Sequence, residues 1–382
     1  MHVMTFQALI VACLCASATI ANADWKPVVD LEDLFPSYII STASMELPSG
    51  GATPEDYIGD RNGQVGCIVT ATEDNQAFTL EISSRNFIDR SVLSGRLKKQ
   101  GQKYRLYPRL VYDFDALHRV REPVPEAVRF KLTIGDGKTE EKTINVQVRS
   151  LQDCVLYFED TNGNLQDATP MLAAYVNENH PLVDKILREA LKLDLVDQFA
   201  GYQQGEGHVM QQVFAVWNVL QRHNIQYSSI TRPSAYSKNV FSQHVRSFED
   251  AFTNKQANCV DGSVLLASVF RKIGLDAFIV LKPGHCYMGV YSKKDKSVVL
   301  ILETTAIGSV DVNESSLERG WNSFMSGRDN NLSRTSFERA MDAGWRQYQE
   351  DRTKFNKEFG YRLLEIDPAR RIGITPLKSK SL

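Results

Sequence analysis

The sequence predicts an α+β protein, and three patterns carry the prediction. Short runs rich in β-branched and aromatic residues fill 24–165, where turn signals separate them. Apolar residues at helical spacing begin at Pro181. A helix that is apolar almost all round follows at 259–273, and strand-like runs return after it. At roughly 150 residues per domain, the 382 residues suit two or three domains.

Composition excludes several classes of protein. The 44 Lys and Arg nearly balance 46 Asp and Glu, and no long basic run occurs, so we expect no nucleic-acid partner. No stretch beyond the N-terminus has about 20 uncharged apolar residues, which predicts no transmembrane span. The histidines lack metal-ligand spacing. We therefore expect no metal, nucleotide or flavin cofactor.

Residues 1–23 are predicted to be a signal peptide. The run 6–18 is apolar or small, no acidic residue precedes Asp24, and 21–23 form a small-x-small cleavage motif. We therefore expect an exported protein, periplasmic or secreted. An alternative is a lipid anchor at Cys13, because the run 10–13 resembles a bacterial lipobox.

Residues 24–165 are predicted to form a β-sandwich domain. Alternating apolar and polar residues at 127–134 and 142–148 flank a Gly-Asp-Gly turn, which indicates a hairpin with one face in water. The run 154–158 is a candidate to close the set. The resemblance of this part to immunoglobulin-like modules is one of architecture only.

Two cysteines fall in or beside these strands. A disulfide between Cys67 and Cys154 would cross-link the sandwich, and an oxidising compartment permits one. The alternative is a pair of buried free thiols that behave as small apolar side chains. The sequence leaves both interpretations open.

A core domain is expected over 170–310, followed by a helical C-terminal extension over 311–382. Helical spacing continues through 182–193 and 209–220, and the segment 310–360 is mainly helical and highly charged. The run 363–368 is expected to be a short strand or turn.

Cys259 is the candidate nucleophile. It lies at the first turn of the predicted buried helix, where free backbone N–H groups and the positive end of the helix dipole favour a thiolate. A nucleophilic cysteine needs such a position. Its neighbour Asp261 is expected to supply an N-terminal charge or cap.

His285 and Glu303 are the candidate partners of that thiol. They fall on two predicted strands that form a hairpin if the turn is centred on Lys294, and this register places Glu303 directly opposite His285. The carboxylate would then orient the imidazole, whose other nitrogen faces the thiol. Cys286 should point to the opposite face of its strand.

An oxyanion hole would complete such a site. The backbone N–H of Cys259 is one natural donor. The side chains of Gln256 and Tyr227 are weaker candidates for a second donor.

Three segments resemble the transglutaminase-like superfamily. The run Asn258-Cys259-Val260-Asp261-Gly262-Ser263 resembles its cysteine helix, His285 with its apolar strand resembles its histidine strand, and Leu302-Glu303-Thr304-Thr305 resembles its acidic strand. The likeness covers roughly 205–308. It implies a papain-like α+β core and a triad of Cys259, His285 and Glu303.

The resemblance implies a cysteine-dependent amide hydrolase or acyltransferase, with a protease among the options. Its substrate would be a protein, a peptide or a cell-wall amide, and hydrolysis is favoured over cross-linking. The family usually has Asp and Pro where this chain has Glu303 and Thr304. The alternative hypothesis is a secreted binding or scaffold protein with a degenerate, non-catalytic core.

Overall fold

The computed structural model describes residues 24–45, 54–135, 137–160, 163–228, 237, 239–309 and 328–377. The predicted signal peptide at 1–23 and the alternative lipid anchor at Cys13 lie outside the described residues. Within them the fold is a mixture of helices and several mainly antiparallel sheets, which confirms the α+β class.

The N-terminal part is built mainly from strands. Its elements are β1 (Trp25–Val29), α1 (Pro36–Thr42), β2 (Tyr57–Gly59), β3 (Val65–Thr70), β4 (Gln76–Ser83), β5 (Ile88–Asp89), β6 (Ser91–Leu97), β7 (Lys103–Tyr107), β8 (Val111–Tyr112), α2 (Phe114–His118), β9 (Val124–Ile134) and β10 (Lys138–Val148). Two four-stranded sheets, ordered β1-β3-β7-β2 and β10-β9-β4-β6, both contribute side chains to one hydrophobic cluster.

The predicted hairpin at 127–148 is confirmed. Strands β9 and β10 pair antiparallel, with Ile134 opposite Lys138 and Val128 opposite Ile144. The inward residues Val128 and Phe130 are fully buried, because the period of two in a strand sends every second side chain to the core.

The remaining elements form the larger part of the molecule. They are β11 (Asp153–Glu159), β12 (Leu165–Asp167), a 3₁₀ turn (Thr169–Tyr175), α3 (Pro181–Lys192), α4 (Gly205–Arg222), β13 (Gln226–Tyr227), β14 (Val240–His244), α5 (Phe248–Thr253), β15 (Gln256–Ala257), α6 (Cys259–Lys272), β16 (Ala277–Lys282), β17 (His285–Tyr291), β18 (Val299–Leu302), a second 3₁₀ turn (Thr304–Ala306), α7 (Arg328–Asp351), β19 (Arg362–Glu365) and α8 (Ile366–Arg371).

Strand β11 does not close the N-terminal set of strands as predicted. It pairs with β12 and with β14 from the later part of the chain. Its Cys154 packs in the hydrophobic cluster around α6, whereas Cys67 packs in the N-terminal cluster. The prediction grouped β11 with the N-terminal strands because it follows them in the sequence. Its hydrogen-bond partner β14, however, lies more than 80 residues downstream.

A four-stranded sheet, ordered β18-β17-β16-β19, supports the helix α6. Alternate side chains of β17 enter different clusters. Cys286 and Met288 join the large cluster that contains α6, and Tyr287 joins a small cluster with Phe278 and Phe355 on the other face. Both faces of the sheet are therefore covered, which explains its long apolar runs.

Residues 328–377, which belong to the predicted C-terminal extension, pack against this sheet. Strand β19 pairs with β16, with Leu364 opposite Ile279. Helix α7 packs against β18, where Gly344 approaches the backbone of Ile301 and Glu303. The high charge of this segment gave no indication that one face of its helix would pack against the sheet.

None of the helices in the described ranges has the length and apolar character needed to cross a membrane.

The contact between α7 and β18 depends on Gly344. A Cβ atom at this position would lie 3.0 Å from the backbone nitrogen of Glu303 and 3.1 Å from the carbonyl carbon of Ile301. We expect Gly344→Val to lower the free energy of unfolding by about 1–3 kcal/mol, measured by urea denaturation.

The matched control is Gly207→Val in α4, where an added Cβ meets no atom within 4 Å. The same substitution there should change stability by less than about 0.5 kcal/mol. Equal effects at the two positions would contradict the close-packing argument.

Candidate active site

Cys259 is the first residue of α6, as predicted. The first N–H groups of a helix have no acceptor within the helix, so they point towards whatever faces that end. Cys259 is also partly exposed, whereas Cys67, Cys154 and Cys286 are buried. It is therefore the one thiol in the described part of the chain that combines access with a helix N-terminus.

A capping box fixes this end of α6. The Asn258 side chain accepts from the Asp261 backbone N–H at 2.8 Å, and the Asp261 carboxylate accepts from the Asn258 N–H at 2.9 Å. Asp261 is fully buried, and its charge is paired with the guanidinium of Arg246 at 2.6 Å. The prediction of a capping role for Asp261 is confirmed.

His285 lies between the thiol and a buried carboxylate. Its Nε2 is 2.6 Å from Oε2 of Glu303, and the Cys259 side chain is close enough to raise its pKa. Since Nε2 is engaged by the carboxylate, Nδ1 is the ring nitrogen left for the thiol. Cys259, His285 and Glu303 thus form one group, in which the imidazole hydrogen-bonds the carboxylate and interacts with the thiol.

The predicted strand register is wrong by two residues. Met288 pairs with Leu302 rather than with Leu300, because the turn between the strands is centred on Asp295 instead of Lys294. The Asp295 carboxylate accepts from Ser297, and this side-chain bond shapes the turn. A shift of two keeps every side chain on its predicted face.

Glu303 consequently lies just beyond the end of β18 instead of opposite His285. It caps the 3₁₀ turn at 304–306, and its backbone N–H donates to the carbonyl of Ala340 in α7. The glutamate side chain is long enough to bring its carboxylate back to His285 from this position.

Four hydrogen bonds saturate the Glu303 carboxylate. Oε1 accepts from the N–H and the hydroxyl of Thr305 at 3.0 and 2.7 Å. Oε2 accepts from His285 and also from the side-chain amide of Gln347, at 2.7 Å. Sequence reasoning missed Thr305 and Gln347, and Gln347 carried no local signal because it is 44 residues away.

These contacts set the charge states of the pair. The hydrogen bond to Cys259, followed by that to Glu303, raises the pKa of His285 to about 9 against the opposing effect of burial. Burial raises the pKa of Glu303, but the hydrogen bonds from His285 and Thr305 outweigh it and hold that pKa below its usual value. An ionised carboxylate beside an imidazolium is the result.

The turn after Glu303 is anchored to the cysteine helix. The Thr304 hydroxyl donates to the carbonyl of Cys259 at 3.0 Å, and the Ser263 hydroxyl donates to the same carbonyl at 2.7 Å. A Cβ at Gly262 would lie 3.1 Å from that of Thr304, so the two segments are in close contact.

The other thiols have inert surroundings. Burial raises the pKa of Cys67 to about 12, and burial also raises the pKa values of Cys154 and Cys286. Cys67 and Cys154 are free, so the proposed disulfide between them is absent. Cys286 points to the face of β17 opposite His285, where its sulfur lies 3.6 Å from the Ser263 hydroxyl under α6.

The two candidate oxyanion donors lie on a short strand pair just before α6. Strands β13 and β15 run parallel, with Tyr227 opposite Ala257 and Gln226 opposite Gln256. Both side chains are exposed, and that of Tyr227 is 48 % exposed. Their role remains a prediction.

Within the described residues, no group of three or more His, Cys, Asp or Glu side chains could hold a metal ion.

Comparisons with known proteins leave the family open. No family model matches the chain, and no curated protein matches it. Among solved structures, it is similar to a "putative cysteine protease" from Cytophaga hutchinsonii, with a TM-score of 0.22 and 13 % identity over 63 % of this chain and 75 % of that one. A likeness of this size supports no argument, so the interpretation of the site rests on its own geometry.

The charge of His285 gives a pH prediction. We expect the imidazole to titrate near pH 9 in an NMR titration, and Cys259→Ala to lower this midpoint more than Glu303→Gln does, since the thiol is the larger cause. Because the folded pKa exceeds the unfolded value of 6.5, the pair stabilises the fold fully below about pH 6.5 and ceases to do so as pH rises through about 9. A midpoint near 6.5 that neither variant moves would contradict these interactions of His285 with Cys259 and Glu303.

Proposed function

We propose that this chain is an exported, transglutaminase-like cysteine enzyme that cleaves an amide or peptide bond through Cys259, His285 and Glu303. The observation that supports it most directly is an imidazole that hydrogen-bonds a buried carboxylate and interacts with a thiol at the start of a helix. Nucleophile, base and orienting acid in this order are the components of acyl transfer.

The first half of the proposed reaction forms a thioester. The Cys259 sulfur, its proton held by His285, adds to the amide carbonyl and makes a tetrahedral intermediate. As the carbon–nitrogen bond breaks, the imidazolium gives its proton to the leaving amine. The raised pKa of His285 suits this step because the acid is already charged at neutral pH.

The second half returns the enzyme to its starting state. Neutral His285 takes a proton from water, and the hydroxide oxygen adds to the thioester carbonyl. The carbon–sulfur bond then breaks, the acid product leaves, and the thiolate–imidazolium pair is restored. An amine in place of water would give a new amide, which is the cross-linking outcome.

The oxyanion needs donors where the carbonyl oxygen becomes charged. The backbone N–H of Cys259 is suited to this role, because it belongs to the first turn of α6 and the helix dipole adds a favourable field. Gln256 and Tyr227 remain the candidates for the second donor, since β15 leads into this helix and β13 pairs with β15.

The substitution of Glu303 for the usual Asp is compatible with this mechanism. The acid begins beyond the end of β18, and the additional methylene spans the distance to His285. Thr304, which stands where the family usually has Pro, donates a hydrogen bond to the Cys259 carbonyl. Both departures from the family pattern therefore make contacts that hold the proposed triad together.

The class of substrate follows from the chemistry and the predicted export. An amide in a protein, a peptide or the cell wall is the proposed target, outside the cytoplasm. The strand-rich N-terminal part, proposed to be an immunoglobulin-like sandwich, would accompany this core.

Selective alkylation tests the proposed nucleophile. At pH 6, iodoacetamide should modify Cys259 in preference to Cys67, Cys154 and Cys286, which are buried. We expect His285→Ala to reduce the rate at Cys259 by at least about tenfold, because the neighbouring positive charge is lost. Peptide mass spectrometry identifies the modified residue.

Cys67→Ala is the matched control, since it removes a buried thiol from the other hydrophobic cluster and should leave the rate at Cys259 unchanged. An ordinary thiol rate at Cys259 that does not depend on His285 would overturn the enzyme proposal and favour the binding or scaffold hypothesis.

The acyl acceptor can be tested with a library of peptides and cell-wall amides, incubated with and without an excess of a primary amine. We expect hydrolysed products to predominate in both cases, and Cys259→Ala to reduce turnover by at least about a thousandfold. Amine-linked products in the majority would replace hydrolysis by cross-linking as the proposed reaction.

A further inference from the structure

We propose that Gln347 of helix α7 is a positioning residue that keeps the Glu303 carboxylate ionised and aligned with His285. The proposal rests on the proposed function, because it concerns the triad of that site. The observation behind it is that Gln347 and His285 share the same oxygen of one buried carboxylate.

The geometry of the carboxylate leaves little freedom. The Glu303 side chain is 7 % exposed, and its two oxygens offer about four acceptor positions, all of which are occupied. Thr305 fixes Oε1, and His285 alone would leave the second position of Oε2 open. The Gln347 amide fills it at 2.7 Å and so sets the plane in which Oε2 meets the imidazole.

Helix α7 brings Gln347 to this point by one packed face. Residues 340, 344, 347 and 351 recur at intervals of four, three and four, which places them on one side of a helix. Ala340 accepts the backbone N–H of Glu303, and Gly344 permits the close approach. The face ends at Asp351, which pairs with Lys282.

The ion pair between Asp351 and Lys282 connects α7 to β16, the strand that pairs with the strand of His285. Lys282 is the partner of His285 in the β16–β17 ladder, and the two flank the turn at Pro283 and Gly284. Helix α7 therefore holds the acid through Gln347 and the end of the histidine hairpin through Asp351. Both contacts fix the position of the imidazole relative to the carboxylate.

A neutral donor is the chemistry this position requires. An amide N–H stabilises the ionised carboxylate, whereas a second carboxylate would repel it, and the two would share a proton. Other charged groups around the pair have their own partners, since Asp261 pairs with Arg246 and Lys282 pairs with Asp351. The remaining titratable groups there are Cys259 from α6, Cys286 and Tyr287 from β17, and Tyr348 from α7, and burial raises the pKa of Cys286 and of Tyr287.

The test compares Gln347→Glu with Gln349→Glu. Both changes replace an amide by a carboxyl group on the same helix, but residue 349 is turned about 200° from residue 347, away from the carboxylate. The readout is the pH dependence of iodoacetamide alkylation at Cys259, together with the NMR titration of His285.

We expect Gln347→Glu to slow alkylation at pH 6 by about tenfold and to move the midpoint of His285 away from its wild-type value, since the two carboxyl groups share a proton and the Glu303 carboxylate loses its alignment with the imidazole. Gln349→Glu should leave both quantities at wild-type values. If the two variants behave alike, the proposal is overturned.

Two further measurements keep the outcome clear. If circular dichroism shows that Gln347→Glu does not fold, Gln347→Met replaces it in the test, because methionine removes the donor at similar volume. Gln347→Met should shift the His285 midpoint, and Gln349→Met should not. Wild-type alkylation that depends on His285, together with an inert Gln347, would refute only the positioning role. Wild-type alkylation that is independent of His285 would refute the proposed function itself.

Discussion

The buried carboxylate of Glu303 is the constraint on which the site depends. A carboxylate removed from water must recover its hydrogen bonds within the protein, and leaving one buried partner unmade costs about 1–3 kcal/mol. Its donors come from β17, the 3₁₀ turn and α7, so satisfying one charge fixes three elements relative to one another. The imidazole is held in place as part of that arrangement.

A second buried carboxylate plays the same part for the cysteine helix. Asp261 bonds to the backbone of Asn258 and to Arg246, and it locks the turn from which Cys259 emerges. Thr304 connects the hydrogen bonds around Asp261 with those around Glu303. Its hydroxyl donates to the Cys259 carbonyl, and the residue before it in the chain is Glu303. Helix α6 and the turn at 304–306 therefore cannot move independently.

Local sequence patterns predicted the helix and the strands that carry the proposed triad. They did not predict the contacts between residues that are distant in the sequence. The apolar run after Cys259 and the capping residue Asp261 are short-range features, so the helix was predictable. The hairpin register was not, because it depends on a side-chain turn at Asp295. The pairing of β11 with β14 and the contact from Gln347 join residues that are distant in sequence, and single residues give no sign of such partners.

The position of α7 in the chain has a consequence for when the proposed triad is assembled. The ribosome makes the cysteine helix, the histidine strand and the acid first, and Gln347 follows 44 residues after Glu303. Until that later helix docks, the carboxylate lacks one donor and its turn lacks the contact with Ala340. A chain still being synthesised would therefore carry an unaligned His285, and the proposed triad would be assembled only after folding is complete.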